Sequence, residues 1–429
     1  MVGTIAAASI LLSFVGAASS LPSELSARAP DVSFSSVCAN ISQAISSQSN
    51  VYQPLSFQYA ADVAHWASSS SDEAACSVEP GSAEDVSKIL QILGSTSTPF
   101  AVKGGGHSSN PGFSSTTGVQ IAMTRFNQVD YDNSSQTVVI GAGLIWDDVY
   151  DVLVPQGANV VGGRVSGIGI AGFTLGGGYS WKTNQYGLTV DTVQAFELVL
   201  PNGTVTTVTE ANDDLWFGLR GGFNNFGIVT KFTLKTVPQG QVWGGLITIT
   251  ADQLDKLNVA VAKYSANVTD PKAAILPTYN FVLGEPGVSL IVFYDAPTPP
   301  DGIFDDFLDI PHFTKDVSTR SFTSFINTTP ANATAGVRAL FTNVAVTGYS
   351  ESLLKLIVDE SVHWGLSLAL ETALFISYDV EPFLPSLFSH GSNSAYPPDR
   401  SRGLLPLNIY FTWALPTSDA SMLAAMKQS

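Results

Sequence analysis

The sequence predicts an α+β fold in two parts, a glycine-rich first half followed by a smaller antiparallel-sheet domain. Three observations predict it. Thirty-seven glycines and 23 prolines in 429 residues call for many turns, and so for a strand-rich fold rather than a helical bundle. A strand, a helix and a second strand lead directly into the triple glycine Gly104-Gly105-Gly106. Beyond about Gln241 glycine thins out and short apolar runs suited to sheet take over. The length exceeds that of a usual single domain, and 45% apolar against 13% charged residues is ample for a large core. A net charge of −17 argues against nucleic acid or an anionic membrane as a partner.

The elements follow in chain order. Residues 1–18 read as a secretory signal, because the apolar run Ile5 to Val15 precedes the small residues Gly16, Ala17, Ala18 and Ser19. Six Asn-x-Ser/Thr sequons, at Asn40, Asn133, Asn202, Asn267, Asn327 and Asn332, suit the same route and are candidate glycosylation sites. No later apolar stretch is long enough to span a bilayer, so a soluble, secreted, extracellular protein is expected. In such a compartment the lone pair Cys38 and Cys76 is most economically a disulfide, with two buried free thiols the alternative.

A Ser-rich stretch runs to about Ser49, and ordered structure is expected from Cys76. Ser82 is a helix N-cap, followed by Val86, Ile89, Leu90 and Leu93 on one face. Phe100 to Lys103 is a strand entering the glycine loop. Thr137 to Ile140 is another, and the helix after it is expected to bury Ile145, Val149, Val152 and Leu153. Gly162 to Gly187 is dense in glycine. Phe196–Leu200 and Thr204–Thr209 flank Pro201-Asn202-Gly203 as a hairpin. Asp213 to Phe217 is a short helix, and Ile228 to Leu234 a strand. Gly244–Thr250, Ser289–Tyr294 and Leu407–Trp413 are expected to share an antiparallel sheet. The domain limits are set at 35–240 and 241–429.

Several chemistries compete for the glycines. Gly167-x-Gly169-x-x-Gly172 matches a dinucleotide fingerprint, and Asp191 lies at the spacing of its ribose carboxylate. That fingerprint must open a helix, and no amphipathic run continues from Gly172, which argues against a nicotinamide enzyme. Two glycine loops, Gly104–His107 and Gly167–Gly178, could instead neutralise a buried diphosphate with oriented amides. A chain poor in basic clusters needs such amides. No second His or Cys lies at zinc-ligand spacing from His107, so no metal is expected, and no G-x-S-x-G elbow occurs.

The runs Val102-Lys103-Gly104-Gly105-Gly106-His107-Ser108, Gly167-x-Gly169-x-x-Gly172-x-x-x-Gly176-Gly177-Gly178-Tyr179 and Tyr186-Gly187-Leu-x-x-Asp191 resemble the berberine bridge enzyme-like oxidases. These belong to the vanillyl-alcohol oxidase/p-cresol methylhydroxylase flavoprotein superfamily. Asp214-Leu-Trp-x-x-Leu-Arg220-Gly-Gly and Gly227-Ile228-Val229 fit the same pattern, and the resemblance is strong over residues 35 to 240. It implies a two-part FAD-binding domain of the p-cresol methylhydroxylase type, with FAD held by Lys103 to Ser108, by the glycines 167, 169, 172 and 176–178, and by Tyr186, Gly187, Asp191 and Gly227 to Val229. It further implies that His107 bonds covalently to the flavin 8α-methyl, and that Cys38 pairs with Cys76. The cysteine that attaches the flavin a second time in many members is replaced by Val165, so a single tether is expected. Ile168, three residues on, would sit near the face that meets oxygen.

Tyr179, Trp181, Asn408 and Tyr410 are the candidates over the flavin ring. The family's catalytic base lies on the late strand, at a position that here matches Asn408, which cannot act as one. Members continue beyond that strand, whereas this sequence ends at Ser429 in a helix begun near Ser418; an incomplete substrate side and a frayed tail after Pro416 are expected. The implied activity is FAD-dependent oxidation of a small organic substrate (an alcohol, a sugar or an amine) by a monomer, with O2 as acceptor. The rivals are a flavin-binding but catalytically impaired homologue and a nicotinamide-dependent dehydrogenase.

Overall fold

The computed structural model describes residues 34–429 other than 283, 330 and 398. The expected signal segment lies outside the described residues, as does the side chain of Asn332. Order begins earlier than Cys76. The helix Phe34–Ala44 buries Val37, Cys38 and Ile41, and a disulfide joins Cys38 to Cys76. Ser46 and Ser49 hold the next turn through hydrogen bonds to the buried Asp85 carboxylate. The serine-rich composition hid these local anchors, which are side-chain contacts rather than periodicity.

Among the described residues three sheets of four or more strands carry the fold, beside one two-stranded pair. The first has the order Asn50–Tyr52, Cys76–Glu79, Val119–Ala122, Phe100–Lys103, with its last three strands parallel. The helix Ala83–Thr96 crosses between two of them, capped by Ser82 and burying Val86, Ile89, Leu90 and Leu93 as the spacing predicts. The second sheet is antiparallel, in the order Val129–Asp132, Thr137–Gly141, Ile228–Lys235, Val193–Val199, Val205–Val208; the Val193–Val199/Val205–Val208 pair is the expected hairpin. Beside it the helix Trp146–Leu153 buries Trp146, Val149, Tyr150 and Leu153. Val152 points outward, because the inner face is set by Trp146, Val149, Tyr150 and Leu153 at i, i+3, i+4 and i+7, and Val152 lies off it.

The third sheet has seven strands, ordered Thr314–Arg320, Val242–Thr250, Glu285–Tyr294, Ala273–Val282, Ala373–Val380, Leu405–Trp413, Arg338–Val346, and every pairing is antiparallel. One face packs on the helices Leu254–Asn267 and Glu351–Ser367 through Leu257, Val261, Leu354, Ile357, Tyr378, Ile409 and Phe411. The opposite face is polar. There Thr278, Asp379, Asn408 and Asn343 stand opposite one another in one register row, as alternation along a strand requires.

The chain end is not frayed. The helix Asp419–Gln428 buries Met422, Ala425 and Met426, while Leu423 stays exposed. Asp419 at its first turn receives Trp413 Nε1 at 2.8 Å and pairs with Arg338 through two bonds. Met422 and Met426 share a face one turn apart, which gives even a short helix a core to join. Among the described residues no helix is long and apolar enough to cross a membrane.

Candidate active site

The two glycine loops meet directly. A Cβ on Gly105 would lie 2.5 Å from Gly169 Cα, and one on Gly169 would lie 2.6 Å from Gly105 N, so neither position admits a side chain. The second loop is fixed from behind by Trp146 N–H to the Ile168 carbonyl, Ile170 N–H to the Leu144 carbonyl, and Gly167 N–H to Asp147. A helix does open at the fingerprint: Ile170–Leu175, six residues long, driven by the burial of Ile170 and Leu175 and ended at Gly176. It is too short to give an amphipathic signature in the sequence.

His107 closes the first loop with its imidazole stacked on Trp66, the ring centroids 4.4 Å apart and the planes 24° from parallel. Part of the ring still reaches solvent, yet the surrounding protein pushes its pKa down to about 4, through desolvation of the charged form. The imidazole is therefore neutral at ordinary pH and has a nucleophilic nitrogen. Trp66 Nε1 donates to the Tyr410 hydroxyl at 3.4 Å, and Tyr410 donates to Thr334 Oγ1 at 3.0 Å. Tyr410 thus stands between the glycine loop and the polar face of the large sheet.

On and beside that face the sequence reading missed Glu381, Asp379, Asn343 and Arg164. Glu381 Oε1 accepts from Arg164 Nη2 at 2.6 Å and from Asn408 Nδ2, while Oε2 is buried with no partner among the described residues. Asn408 also accepts from Asn343 at 2.7 Å. Asp379, two residues before Glu381, is pushed up to about 7, first by burial and then by the Glu381 charge. An alternating pair of carboxylates across Tyr378-Asp379-Val380-Glu381 was the available signal. Tyr179 stacks on Phe383 at 5.0 Å and shares a 2.9 Å hydrogen bond with the Tyr396 hydroxyl. Burial raises the Tyr179 phenol far above its ordinary range, so it stays protonated.

Other candidate residues take supporting places. Trp181 is a core residue, packed against Phe293 and Phe325 with Nε1 donating to the Arg164 carbonyl, and it does not face the site. Lys103 is buried and donates to the Ala61 carbonyl at 2.7 Å. Asp191 is committed to Arg220, Arg400 and the Leu188 N–H. Ser108 offers its carbonyl to Ser70, and Tyr186 ends a short helix beside a surface cavity of about 640 Å³. Gly177, Gly178 and Gly187 take positive φ, and Gly227 closes against the Val199 carbonyl as Ile228 and Val229 enter the sheet core.

The loops suit a flat, anionic cofactor. A Cβ on Gly172 would meet nothing within 4 Å, and one on Gly167 only the Trp66 edge at 3.9 Å, so these two glycines border open space. Ser109 Oγ and Thr174 Oγ1, both buried close to the loops in sequence, lack partners among the described residues and can donate to a ligand.

Residues 74–209 match the FAD binding domain family. An uncharacterized FAD-linked oxidoreductase of Arthroderma benhamiae is 39% identical over 257 residues, 58% of this chain and 51% of that protein. The chain thus aligns with about half the length of that relative. An FAD-dependent monooxygenase of Aspergillus calidoustus is 32% identical over 80% of this chain and 67% of its own length. Among solved structures, a variant of berberine bridge enzyme superposes with a TM-score of 0.75 over 92% of this chain and 84% of that one, at 16% identity. With a relative aligned over two thirds of its length and an FAD binding domain matched around the paired glycine loops, the chain belongs to the FAD-linked oxidoreductases, and its fold is that of berberine bridge enzyme.

Proposed function

We propose that this chain is a secreted, glycosylated oxidase that holds FAD through a single covalent bond at His107 and oxidises a small organic alcohol, sugar or amine, with dioxygen as acceptor. The carrying observation is that a neutral imidazole at the end of the glycine loop connects, through Trp66 and Tyr410, to a sheet face bearing a carboxyl poised near neutral pH. When bound, FAD supplies the hydride acceptor. The chain's own residues do the rest. Asp379 takes the proton of the substrate O–H or N–H as the C–H bond breaks, which suits a base titrating near the working pH. Glu381 Oε2 accepts from a second donor on the substrate. Tyr179, Tyr396 and Tyr410 donate from the rim and narrow the access of water.

The test is substrate-dependent H2O2 release by the purified protein across alcohol, sugar and amine panels, beside an Asp379→Asn variant. The reading expects H2O2 from at least one class, and a loss in Asp379→Asn of about 100-fold or more with bound flavin unchanged. Wild-type-like turnover in Asp379→Asn would remove it as the base. Acid-precipitated wild-type protein should stay yellow with the flavin mass on the His107 peptide; a colourless pellet would end the covalent reading and leave FAD binding intact.

A further inference from the structure

The segment His65 to Ser70, which no sequence motif marks, is bonded to both sides of the site. Trp66 N–H donates to the Gly106 carbonyl at 2.9 Å and Ser70 Oγ to the Ser108 carbonyl at 2.8 Å, so the segment brackets His107. Toward the sheet, the Trp66 carbonyl accepts from Gly336 N–H at 2.8 Å and Ser68 N–H donates to the Val337 carbonyl at 3.0 Å. Ser69 Oγ both donates to the Ala339 carbonyl and accepts from its N–H, each at 3.0 Å. The backbone of Trp66 is thus pinned from both directions. Its indole has one face on the His107 ring, its Nε1 on Tyr410, and its edge beside Gly167 of the second loop.

From this arrangement we infer that Trp66 is the positioning residue of His107: it fixes the imidazole plane in which a ring nitrogen meets the flavin 8α-methyl, and it ties that alignment to Tyr410. The inference rests on the reading that His107 carries the flavin. Attachment replaces a C–H bond of the methyl and the N–H bond of the imidazole by one C–N bond. The two hydrogens and their two electrons leave through the flavin ring to dioxygen, which becomes H2O2. The protein's part is alignment. His107 follows Gly106, which has a φ of +69°, so the loop alone does little to orient the ring; a stacked indole does. The same cover shields one face of the imidazole from water, in accord with its neutral state.

Trp66→Leu keeps most of the apolar volume and loses the stack; Trp66→Phe keeps an aromatic face and loses the Tyr410 bond. The measurements are total bound FAD, the fraction of it that is acid-stable on the His107 peptide, and the melting temperature. Misalignment of about 1 Å costs attachment on the order of 100-fold in rate. Trp66→Leu should therefore bind FAD and melt cooperatively while its acid-stable fraction collapses, and Trp66→Phe should recover most of that fraction. A wild-type-like acid-stable fraction in Trp66→Leu overturns the inference and leaves attachment at His107 standing. So does a Trp66→Phe as deficient as Trp66→Leu. Wild-type protein whose FAD is wholly acid-extractable overturns the attachment reading itself, and this inference with it.

Discussion

At the scale of single residues, Asp379 on the strand Ala373–Val380 and Glu381 just past its end differ in their surroundings. Glu381 has Arg164 and Asn408 on one oxygen, whereas Asp379 is half-buried beside that charge and holds its proton to about pH 7. A base must be deprotonated to act, so turnover should rise with pH through about 7 and level off above it. Glu381→Gln removes a cause of the raised pKa and should shift that limb to lower pH; a pH–rate profile measures it, and an unmoved limb would show that burial alone sets Asp379. The stability consequence has the opposite sense. A carboxyl raised above its unfolded value contributes stability that is full below about pH 4 and lost as pH rises through about 7. Asp379→Asn should therefore be more stable than wild type at pH 8, by roughly 2–4 kcal/mol, in urea melts. Neither carboxylate stood out in the sequence. Their neighbours, Arg164 and Asn408, lie 217 and 27 residues from Glu381 in the chain, and single-sequence periodicity carries no information about such partners.

At the scale of elements, local patterns were legible where a residue's role is set by its immediate neighbours. Ser82 and its four apolar followers mark the helix Ala83–Thr96, and the glycine runs mark loops whose backbones approach too closely for a Cβ. Replacing Gly169 by alanine should disturb both loops at once, since the new methyl would sit 2.6 Å from Gly105 N. Lower FAD content at nearly unchanged secondary structure, read by absorbance and circular dichroism, is the expected result. The final helix was legible as a helix, but its burial was not. That helix packs on the strands Leu405–Trp413 and Arg338–Val346, and Asp419 finds its arginine in the second, 81 residues back. Met422→Ala should cost about 2–5 kcal/mol, because the side chain is wholly buried. A denaturation midpoint within error of wild type would show that the tail does not belong to the cooperative core.

Across the whole molecule, the halves distinguished in the sequence by glycine density are joined by buried polar links as well as by apolar contacts such as Trp181 on Phe293 and Phe325. Arg164 pairs with Glu381, Tyr179 with Tyr396, Asp191 with Arg400, and Lys182 with Asp295. Lys182 is the deepest of these. Its ammonium is fully buried, 2.6 Å from Asp295 Oδ2, and it lies 5.7 Å from the centre of the Phe322 ring. Gln185 and Gln239 also donate to the Asp295 carboxylate. Burial pulls the Lys182 pKa down and the Asp295 charge opposes that pull. Desolvating such a pair costs much of what its attraction returns, so the pair stabilises little by itself, while its halves alone are costly. Lys182→Met should lower stability by about 3–5 kcal/mol, because it leaves a carboxylate stranded between the glycine-rich half and the large sheet. Asp295→Leu strands the ammonium and should be similar. The double variant should recover much of either loss, since no uncompensated charge remains. Urea unfolding of the four proteins at one pH decides it. Additive losses in the double variant would mean that the two side chains act separately and that the joint between the halves lies elsewhere.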